Sequence, residues 1–553
     1  MSIKPSVPSI SQKEFSRLPF AEQIDVLRCQ DARQKSRLLI DAANGAELIA
    51  KLSAQEVYLL AMERGPEHLP ELLSLATPEQ WTGFIDLDCW EGDEFVAAKA
   101  HRWVATLMES DEETVFNVLR TMNFELLTMI LKTELEIISG PEATENDDAR
   151  AEAVKREGGY EINYLSENGA KMYGRILEIL QDTEAAFFVY LLEAVRAETM
   201  IMIEESVYQQ RTCRLLDIGI PESFAAQKVY SWLDPDLYKE KRPFKLAPGS
   251  FAASAPGFTL TLVRPKGILA EVLAEGLDEE LAWEMANVVN KVMMADRVEM
   301  GDLDQVRGAI NKVDAYLNLA LEWLAGQDLA VARQCLDECY CEDLFRLGYS
   351  LILKLQRRAA AMSKTSIAAY LDPNAKACLS ALAQNPPLYF EGVGDPTRGG
   401  TRMFDNLYEI RSVDQWLARI AVQQHIFEEG LQFPLPDPAT LDLDGCQPGD
   451  IEDVTLVEFF LTSLSNKIMG RDFLPMPLAE EELAGLHGMV SQSGRLHPGL
   501  REETTKWLES LVPGGGDFAK YCLDIWEEEF CSIGFEDIDP RYIGGLIVRL
   551  GSV

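Results

Sequence analysis

The segment whose spacing most resembles a chemical motif is glycine-rich and runs from Gly394 to Thr401. Its glycines and final threonine have the spacing of a phosphate-binding loop, in which backbone N–H groups surround a phosphate. In such a loop the residue before the threonine is a lysine that binds the β- and γ-phosphates, but here it is Gly400. The candidate phosphate-binding residues are Gly394, Arg398, Gly399 and Thr401, and a plain glycine turn is the alternative that we favour.

Three cysteines close together in sequence, Cys335, Cys339 and Cys341, form a second candidate site. Thiolates can hold zinc or an iron–sulfur cluster. The spacing matches neither paired C-x-x-C motifs nor the common cluster motifs, and no fourth cysteine or histidine is close in sequence. We therefore predict buried thiols in a tight helical hairpin, and we predict neither a metal site nor a cofactor.

Other chemical motifs are incomplete. Aligning Asp442, Asp444 and Gly445 with a calcium loop places Thr440 and Ile451 at its first and last positions, where carboxylates are required. The histidines are scattered without an H-E-x-x-H pattern, and no G-x-S-x-G elbow is present. The sequence identifies no catalytic residue, so we favour a non-enzymatic role while enzyme activity stays open.

Acidic residues cluster at one helix start, at Glu109, Asp111, Glu112 and Glu113. The positive end of a helix dipole favours negative charge at this position. Helix capping therefore explains these carboxylates without a metal ion.

Short amphipathic helices are the main elements that must position the candidate residues named above. Residues 110–134 have the pattern of two such helices separated by a polar break, and residues 183–207 repeat it. Apolar residues spaced by three and four positions mark one face of a helix. This stripe comprises Val115, Val118, Leu119 and Met122 in the first copy, and Phe188, Leu191, Leu192 and Val195 in the second.

Capping boxes indicate where several of these helices begin. Ser11, Ser53, Thr77 and Ser110 are each followed three residues later by Glu or Gln. Pro78 strengthens the third start, since proline is favoured at the first helical position. Helices this short are marginal alone and bury their apolar faces by stacking, which predicts a superhelix.

The runs Leu-Ser-x-x-Glu at 52–56 and Ala-Thr-Pro-Glu-Gln at 76–80 resemble two related helical superhelices. One is the cytosolic N-terminal domain of MgtE-type magnesium transporters, and the other is the armadillo-like part of the flagellar motor-switch protein FliG. The resemblance covers residues 45–220 and implies a stacked-helix fold. Its transporter branch implies a divalent-cation sensing module, without specific ligands. The whole chain also resembles an uncharacterised bacterial family of unknown function.

The predicted fold is mainly α and multi-domain, an N-terminal superhelix followed by further helical blocks. Only residues 258–263 and 387–392 carry plausible strand signals. Proline- and glycine-rich segments suggest the boundaries. The predicted segments are a tail (1–10), a helical repeat domain (11–235) with an acidic insertion (139–159), a linker (236–257), a second helical block (258–365), a Gly/Pro-rich connector (366–412) and a C-terminal helical domain (413–553).

The chain of 553 residues has a formal charge of −39 from 90 acidic and 51 basic residues. Such a field repels phosphate backbones, so we predict no nucleic-acid partner. No apolar run is long enough to span a bilayer, and cysteines without an export signal suit a reducing compartment, so we predict a cytoplasmic protein.

Three functions remain open. The leading hypothesis is an interaction or regulatory protein that binds a protein partner on its stacked helices. The alternatives are a nucleotide- or phosphate-dependent enzyme or regulator using the 392–404 loop, and a magnesium-sensing module.

Overall fold

The computed structural model describes residues 10–139, 154–157, 159–241, 243, 245, 258–274, 276 and 278–550. These residues form a mainly α-helical, multi-helical fold with short strands, which confirms the predicted fold class. The chain divides into two compact units, Met1–Tyr349 and Ser350–Val553.

Most helices of the first unit are short. They are α1 (Gln12–Phe15), α2 (Phe20–Cys29), α3 (Ala32–Ile40), α4 (Gly45–Ile49), α5 (Ala54–Arg64), α6 (Pro70–Leu73), α7 (Pro78–Asp88), α8 (Ala97–Leu107), α9 (Glu112–Thr121), α10 (Phe124–Lys132), α11 (Glu167–Thr183), α12 (Ala185–Ala197), α13 (Met200–Asp217), α14 (Ser223–Ala226), α15 (Pro235–Glu240), α16 (Phe258–Thr261), α17 (Gly267–Ala274), α18 (Glu279–Asp296), α19 (Leu303–Ala325) and α20 (Leu329–Glu338). Helix α21 (Cys341–Met362) contains the division point between the units.

The helices of the second unit follow α21. They are α22 (Pro373–Leu382), α23 (Leu407–His425), α24 (Leu456–Ile468), α25 (Leu483–Val490), α26 (Pro498–Leu511) and α27 (Gly515–Trp526). Two of them, α23 and α27, continue into π-helical turns, Ile426–Gly430 and Glu527–Cys531 respectively.

The strands form small sheets. In the first unit they are β1 (Trp90–Glu91), β2 (Glu94–Phe95), β3 (Leu135–Ser139), β4 (Val154–Glu157) and β5 (Tyr160–Tyr164). In the second unit they are β6 (Tyr389–Phe390), β7 (Thr401–Arg402), β8 (Cys446–Gln447), β9 (Leu478–Ala479), β10 (Ser491–Gln492), β11 (Arg495–Leu496) and β12 (Val548–Arg549). Pairs β1–β2, β6–β7 and β10–β11 are antiparallel, β5 lies between β3 and β4, and β12 lies between β8 and β9.

The repeated sequence pattern corresponds to repeated structure. The first copy folds as α9 and α10, and the second as α12 and the first turns of α13. The eight apolar side chains of the two predicted stripes are all buried. The copies also contact each other, because α10 packs against both α12 and α13. The ammonium of Lys132 near the end of α10 donates to the carbonyl of Val195 in α12 at 2.6 Å.

The predicted helix caps are confirmed in part. Full capping boxes occur at Ser11 and Thr77. Ser53 caps α5, but the carboxylate of Glu56 pairs with the buried ammonium of Lys35 at 2.6 Å and does not complete a box. The prediction for Ser110 is wrong by one residue: Asp111 is the N-cap of α9 and accepts a hydrogen bond from the backbone N–H of Thr114 at 2.9 Å.

The strand predictions are half right. Residues 389–390 form β6, but residues 258–261 form the short helix α16, whose Phe258 side chain is buried. A segment with alternating apolar residues forms a strand only where a partner strand pairs with it. Strands β1–β5 and β7–β12 were not predicted. Residues 1–9 of the predicted tail, most of the predicted insertion (140–153 and 158) and most of the predicted linker (242, 244 and 246–257) lie outside the described residues.

A buried polar row follows one face of α19. Asp314, Asn318 and Glu322 are spaced by four residues and are each less than one-tenth exposed. The amide oxygen of Asn318 accepts from the backbone N–H of Leu269, whereas neither carboxylate oxygen of Asp314 has a hydrogen-bond partner in the part of the chain described. Burial raises the pKa of Asp314 to about 7.

Candidate functional site

The residues of the predicted phosphate loop lie in an exposed turn of the second unit. The loop joins β6 to the antiparallel strand β7, in which Thr401 lies, whereas a phosphate-binding loop joins a strand to a helix. The side chain of Asp395 accepts hydrogen bonds from the backbone and hydroxyl of Thr397, and it lies 3.5 Å from Nε of Arg398. Gly394 follows a 3-10 turn, and Gly399 is exposed with open space around it. Phosphate binding by these residues stays a prediction.

The three clustered cysteines are buried, as predicted. Cys335 lies in α20, Cys339 ends that helix and Cys341 begins α21. Burial raises the pKa of the Cys341 thiol. Among the described residues, no group of three or more histidine, cysteine or acidic side chains is arranged to hold a metal ion. Cys213, on α13, differs from these thiols in being exposed.

A hydroxyl, an imidazole and a carboxylate meet in the first unit, which the sequence did not predict. Nε2 of His101 lies 2.9 Å from Oγ1 of Thr133, and Nδ1 lies 3.3 Å from Oε1 of Glu134. Nucleophilic relays use these groups in this order. However, the Thr133 hydroxyl donates to the carbonyl of Ile130 at 2.6 Å, so its proton is not directed at the imidazole. We interpret the cluster as a structural contact between α8 and the end of α10.

A cleft of about 650 Å³ in the first unit is the stronger candidate for a functional site. Five segments form its walls: the end of α7, the β1–β2 hairpin, α8, α13 with the turn that follows it, and the turn between α18 and α19. Its polar and aromatic lining includes Asp88, Trp90, Glu91, Asp93, Lys99, Tyr208, Arg211, Thr212, Glu222, Ser223, Arg297 and Glu299. This volume is in the range of small-molecule and peptide sites.

Buried carboxylates fix the end of α7 beside this cleft. Asp88 accepts hydrogen bonds from the hydroxyl of Tyr58 at 3.1 Å and from the indole N–H of Trp103 at 2.8 Å. Asp86 accepts two from the guanidinium of Arg214, at 2.7 and 2.9 Å. Burial raises the pKa of Asp86, and the ion pair with Arg214 opposes that shift. Because both carboxylates already have donors, they hold the wall in place and are not free for a ligand.

Aromatic side chains form a second part of the wall. The ring of Trp90 lies 5.3 Å from that of Phe95 and 5.7 Å from that of Tyr208. The guanidinium of Arg211 lies 5.3 Å from the Trp90 ring and donates to the carbonyl of Asp86 at 2.7 Å. Trp90 is 7% exposed, and its indole N–H has no acceptor among the described residues. A buried donor without an acceptor costs about 1–3 kcal/mol of stability.

Exposed carboxylates surround the cleft. Glu91 pairs with the ammonium of Lys99 at 3.1 Å. The side chains of Asp93, Glu222 and Glu299 have no hydrogen bond or ion pair within the described ranges. Three carboxylates are therefore available to a ligand.

One cationic side chain, that of Arg297, lines the cleft together with these carboxylates. Arg297 ends α18 in the left-handed backbone conformation, at a φ of 57°, and its side chain is exposed. Within the described residues its guanidinium has no ion pair or hydrogen bond. A non-glycine residue in this conformation is uncommon. The backbone of Arg297 leads into the turn between α18 and α19, which forms one wall of the cleft.

The sequence did not reveal this cleft because its residues are far apart in the chain. Trp90, Tyr208 and Arg297 belong to three different elements. One local signal was available: Gly92-Asp93 is a favourable turn pair, and Trp90 and Phe95 flank it as strand residues. That signal predicts the hairpin but not the helices that pack against it.

The described helices and the cleft define a mainly α-helical protein with a polar and aromatic cleft in its first unit. The chain belongs to the family of unknown function DUF6178, whose pattern matches residues 12–549. Comparisons with curated proteins and with solved structures give no match, so the resemblance to the MgtE and FliG superhelices stays a prediction. No helix within the described residues is long and apolar enough to cross a membrane.

Proposed function

We propose that the protein is a non-enzymatic binding protein that holds a segment of a partner protein in the cleft of the first unit. The observation that carries this proposal is Phe224, whose side chain is 88% exposed directly after the cleft residues Glu222 and Ser223. Aromatic side chains are enriched in protein-binding sites, where they become buried on binding.

The dimensions of the cleft support a peptide segment as the ligand. Its volume of about 650 Å³ accommodates several residues of an extended chain. Its walls offer backbone turns, aromatic rings and free carboxylates, which are the groups that bind peptide backbones and side chains. This proposal also assigns the predicted protein partner to one surface of the helical fold.

The cysteines support a reducing location. The cysteines whose side chains the structure describes are free thiols, and all but Cys213 are buried. Free thiols in this number are typical of reducing compartments. We propose that the protein acts in the cytoplasm.

A peptide-display selection with the purified full-length protein tests the proposed function. A random library is selected on the wild type and then on Thr212→Trp, which places a large side chain in the cleft wall on α13. Gln209→Trp is the matched control, because Gln209 is an exposed residue of the same helix outside the cleft. We expect enriched peptides that bind the wild type and Gln209→Trp but not Thr212→Trp. If every enriched peptide binds all three proteins equally, the cleft is not the binding site.

A further inference from the structure

We propose that the segment bound in the cleft carries a carboxylate group, which the guanidinium of Arg211 binds. This inference rests on the proposed function and adds the chemistry of the ligand at the same site. It follows from the unused hydrogen-bond donors of Arg211, from the unbalanced charge of its guanidinium, and from two free hydroxyl groups beside it on α13.

The guanidinium of Arg211 is held in the cleft wall but has unused donors. Its Nε donates to the carbonyl of Asp86 at 2.7 Å, and the ring of Trp90 lies 5.3 Å away. The two terminal nitrogens are accessible to solvent, and within the described residues they have no hydrogen bond or ion pair. Because the guanidinium is already fixed in position, it loses little entropy when its terminal N–H groups bind a carboxylate as a bidentate pair.

The charge of Arg211 is not balanced within the cleft wall. The carboxylate of Asp86 attracts this charge, but both of its oxygens accept hydrogen bonds from Arg214, at 2.7 and 2.9 Å. Two guanidinium groups therefore share one carboxylate. Burial lowers the pKa of Arg211, because partial removal from water disfavours the charged form. An anion bound at the terminal nitrogens offsets this cost.

Two hydroxyl groups lie beside this guanidinium. Arg211 and Thr212 follow Tyr208 by three and four residues on α13, which places the three side chains on one face of the helix, and all three line the cleft. In the part of the chain that the structure describes, the hydroxyls of Tyr208 and Thr212 have no hydrogen bond. One helix face therefore presents a guanidinium and two hydroxyl donors to the cleft, and these are donors that bind carboxylate oxygens.

The exposed carboxylates around the cleft favour an anion with a single charge. Asp93, Glu222 and Glu299 line the cleft and repel a phosphate group, which carries about two charges, more strongly than a carboxylate. The formal charge of −39 acts mainly at long range, where salt screens it, whereas Arg211 acts in direct contact. A peptide supplies a carboxylate at its C-terminus or on an aspartate or glutamate side chain.

The test repeats the peptide selection with a library displayed with free C-termini. The cleft-dependent peptides are labelled with fluorescein, and their binding to the full-length protein is measured by fluorescence anisotropy. Each peptide is made as the free acid and as the C-terminal amide, and its Asp and Glu residues are replaced in turn by Asn and Gln. We expect one of these neutralisations to weaken binding to the wild type about tenfold or more, because it removes a charged hydrogen-bonded pair. The neutralisation that does so identifies the source of the carboxylate.

Arg211→Gln tests whether this guanidinium binds the carboxylate. Arg37→Gln is the matched control, because Arg37 is an exposed arginine of the first unit outside the cleft. We expect the wild type and Arg37→Gln to prefer the charged peptide over its neutralised form about tenfold, and Arg211→Gln to bind both forms within about threefold. A general loss of structure weakens binding of both forms and does not selectively remove this preference. Thermal unfolding checks that both variants fold.

A preference for the charged peptide that Arg211→Gln leaves at its wild-type value would overturn the inference. Cleft-dependent peptides whose binding to the wild type survives every neutralisation would also overturn it, without any protein variant, while leaving the proposed function intact. If no cleft-dependent peptide is found, the proposed function itself fails.

Discussion

Each unit contains a β-hairpin that leads directly into a helix, and the two hairpins share a backbone design. In β1–β2, Trp90 pairs with Phe95, and in β10–β11, Ser491 pairs with Leu496. In both hairpins the residue after the second strand donates its backbone N–H to the carbonyl of the residue before the first strand, at 2.8 Å. Helices α8 and α26 begin one residue later. Two unrelated sequences therefore support the same hairpin-to-helix connection.

A glutamate from another helical segment binds each hairpin at the same backbone position. The carboxylate of Glu204, on α13, accepts from the N–H of Phe95 at 3.3 Å. The carboxylate of Glu527, in the π-helical turn after α27, accepts from the N–H of Leu496 at 2.9 Å. Edge N–H groups of a short hairpin need such acceptors, since no further strand pairs with them.

The hairpins differ in the side chains that they carry. The first hairpin has Trp90 and Asp93 in the cleft wall. The second hairpin has Ser491 and Gly494 at the same two positions. The hydroxyl of Ser491 donates to the carbonyl of Cys531 at 3.0 Å. Because the second hairpin forms without an aromatic or acidic residue at these positions, the hairpin backbone does not require them. Their presence in the first hairpin supports a binding role for the cleft.

The largest expected effect comes from truncating the first strand residue of each hairpin. Trp90→Ala removes a buried aromatic ring and its contacts, so we expect a loss of about 3–5 kcal/mol of stability. Ser491→Ala removes one hydrogen bond, at a cost of about 1 kcal/mol. Hydrogen exchange with mass spectrometry measures the opening free energy of each hairpin separately. Similar losses in the two variants would show that the hairpins are packed alike.

The buried carboxyl of Asp314, which lies in the first unit outside either hairpin, provides a reference for this comparison. The pKa of Asp314 is about 7 in the folded protein, against a usual value of 3.8, because its carboxyl is buried. The unfolded chain therefore loses the proton first, and the stability falls as pH rises from about 4 to 7.

We expect Asp314→Asn to stabilise the protein by about 1–3 kcal/mol above pH 7 and to have little effect below pH 4. Thermal unfolding of the variant and the wild type across this pH range measures the difference. A stabilisation that does not depend on pH would contradict a protonated carboxyl in the fold.

Removing the charge of each hairpin-binding glutamate has a smaller expected effect. Glu527→Gln weakens a charged hydrogen bond of 2.9 Å and an ion pair with Arg501 of 3.2 Å, so we expect a loss of about 1–2 kcal/mol. Glu204→Gln affects a longer bond of 3.3 Å, and we expect less than about 1 kcal/mol. Hydrogen exchange of Phe95 and Leu496 measures both effects. The reverse order would mean that the first hairpin depends more on its glutamate.

The smallest expected effect concerns the turns. The first turn residue has a positive φ in both hairpins, 67° at Gly92 and 55° at Ser493. Side chains with a Cβ are disfavoured in this conformation by about 1 kcal/mol. We therefore expect Gly92→Ser to destabilise its hairpin and Ser493→Gly to stabilise the other by that amount, measured by hydrogen exchange. The changes in stability must have opposite signs in the two variants, and changes of the same sign would contradict this explanation.

The sequence predicted those features that depend on neighbouring residues. The stripes of α9 and α12 and the capping boxes at Ser11 and Thr77 follow from helical spacing and local hydrogen bonds. The N-cap at Ser110 was misplaced because Ser and Asp are both good caps and stand side by side. The error at residues 258–261 has a similar origin, since an alternating pattern does not show whether a partner strand exists.

The cleft could not be predicted because tertiary packing creates it. Strands of two residues are too short to produce a periodic pattern, so β1–β2 and β10–β11 left only their turn residues as a signal. Trp90 meets Tyr208 only through the packing of the hairpin against α13. Whether the carboxylates of Asp93, Glu222 and Glu299 have partners likewise depends on which side chains the fold places next to them.

The exposed thiol of Cys213 gives the native chain a single labelling site next to a residue of the cleft among the cysteines whose side chains are described. It lies on α13 directly after Thr212, a residue of the cleft wall, while the other cysteines whose side chains are described are buried. Thiol reagents react with accessible thiolates and spare buried ones. A maleimide dye would therefore attach to Cys213, one residue from the cleft wall, without any engineered cysteine, and its emission would report a ligand that changes the surroundings of α13.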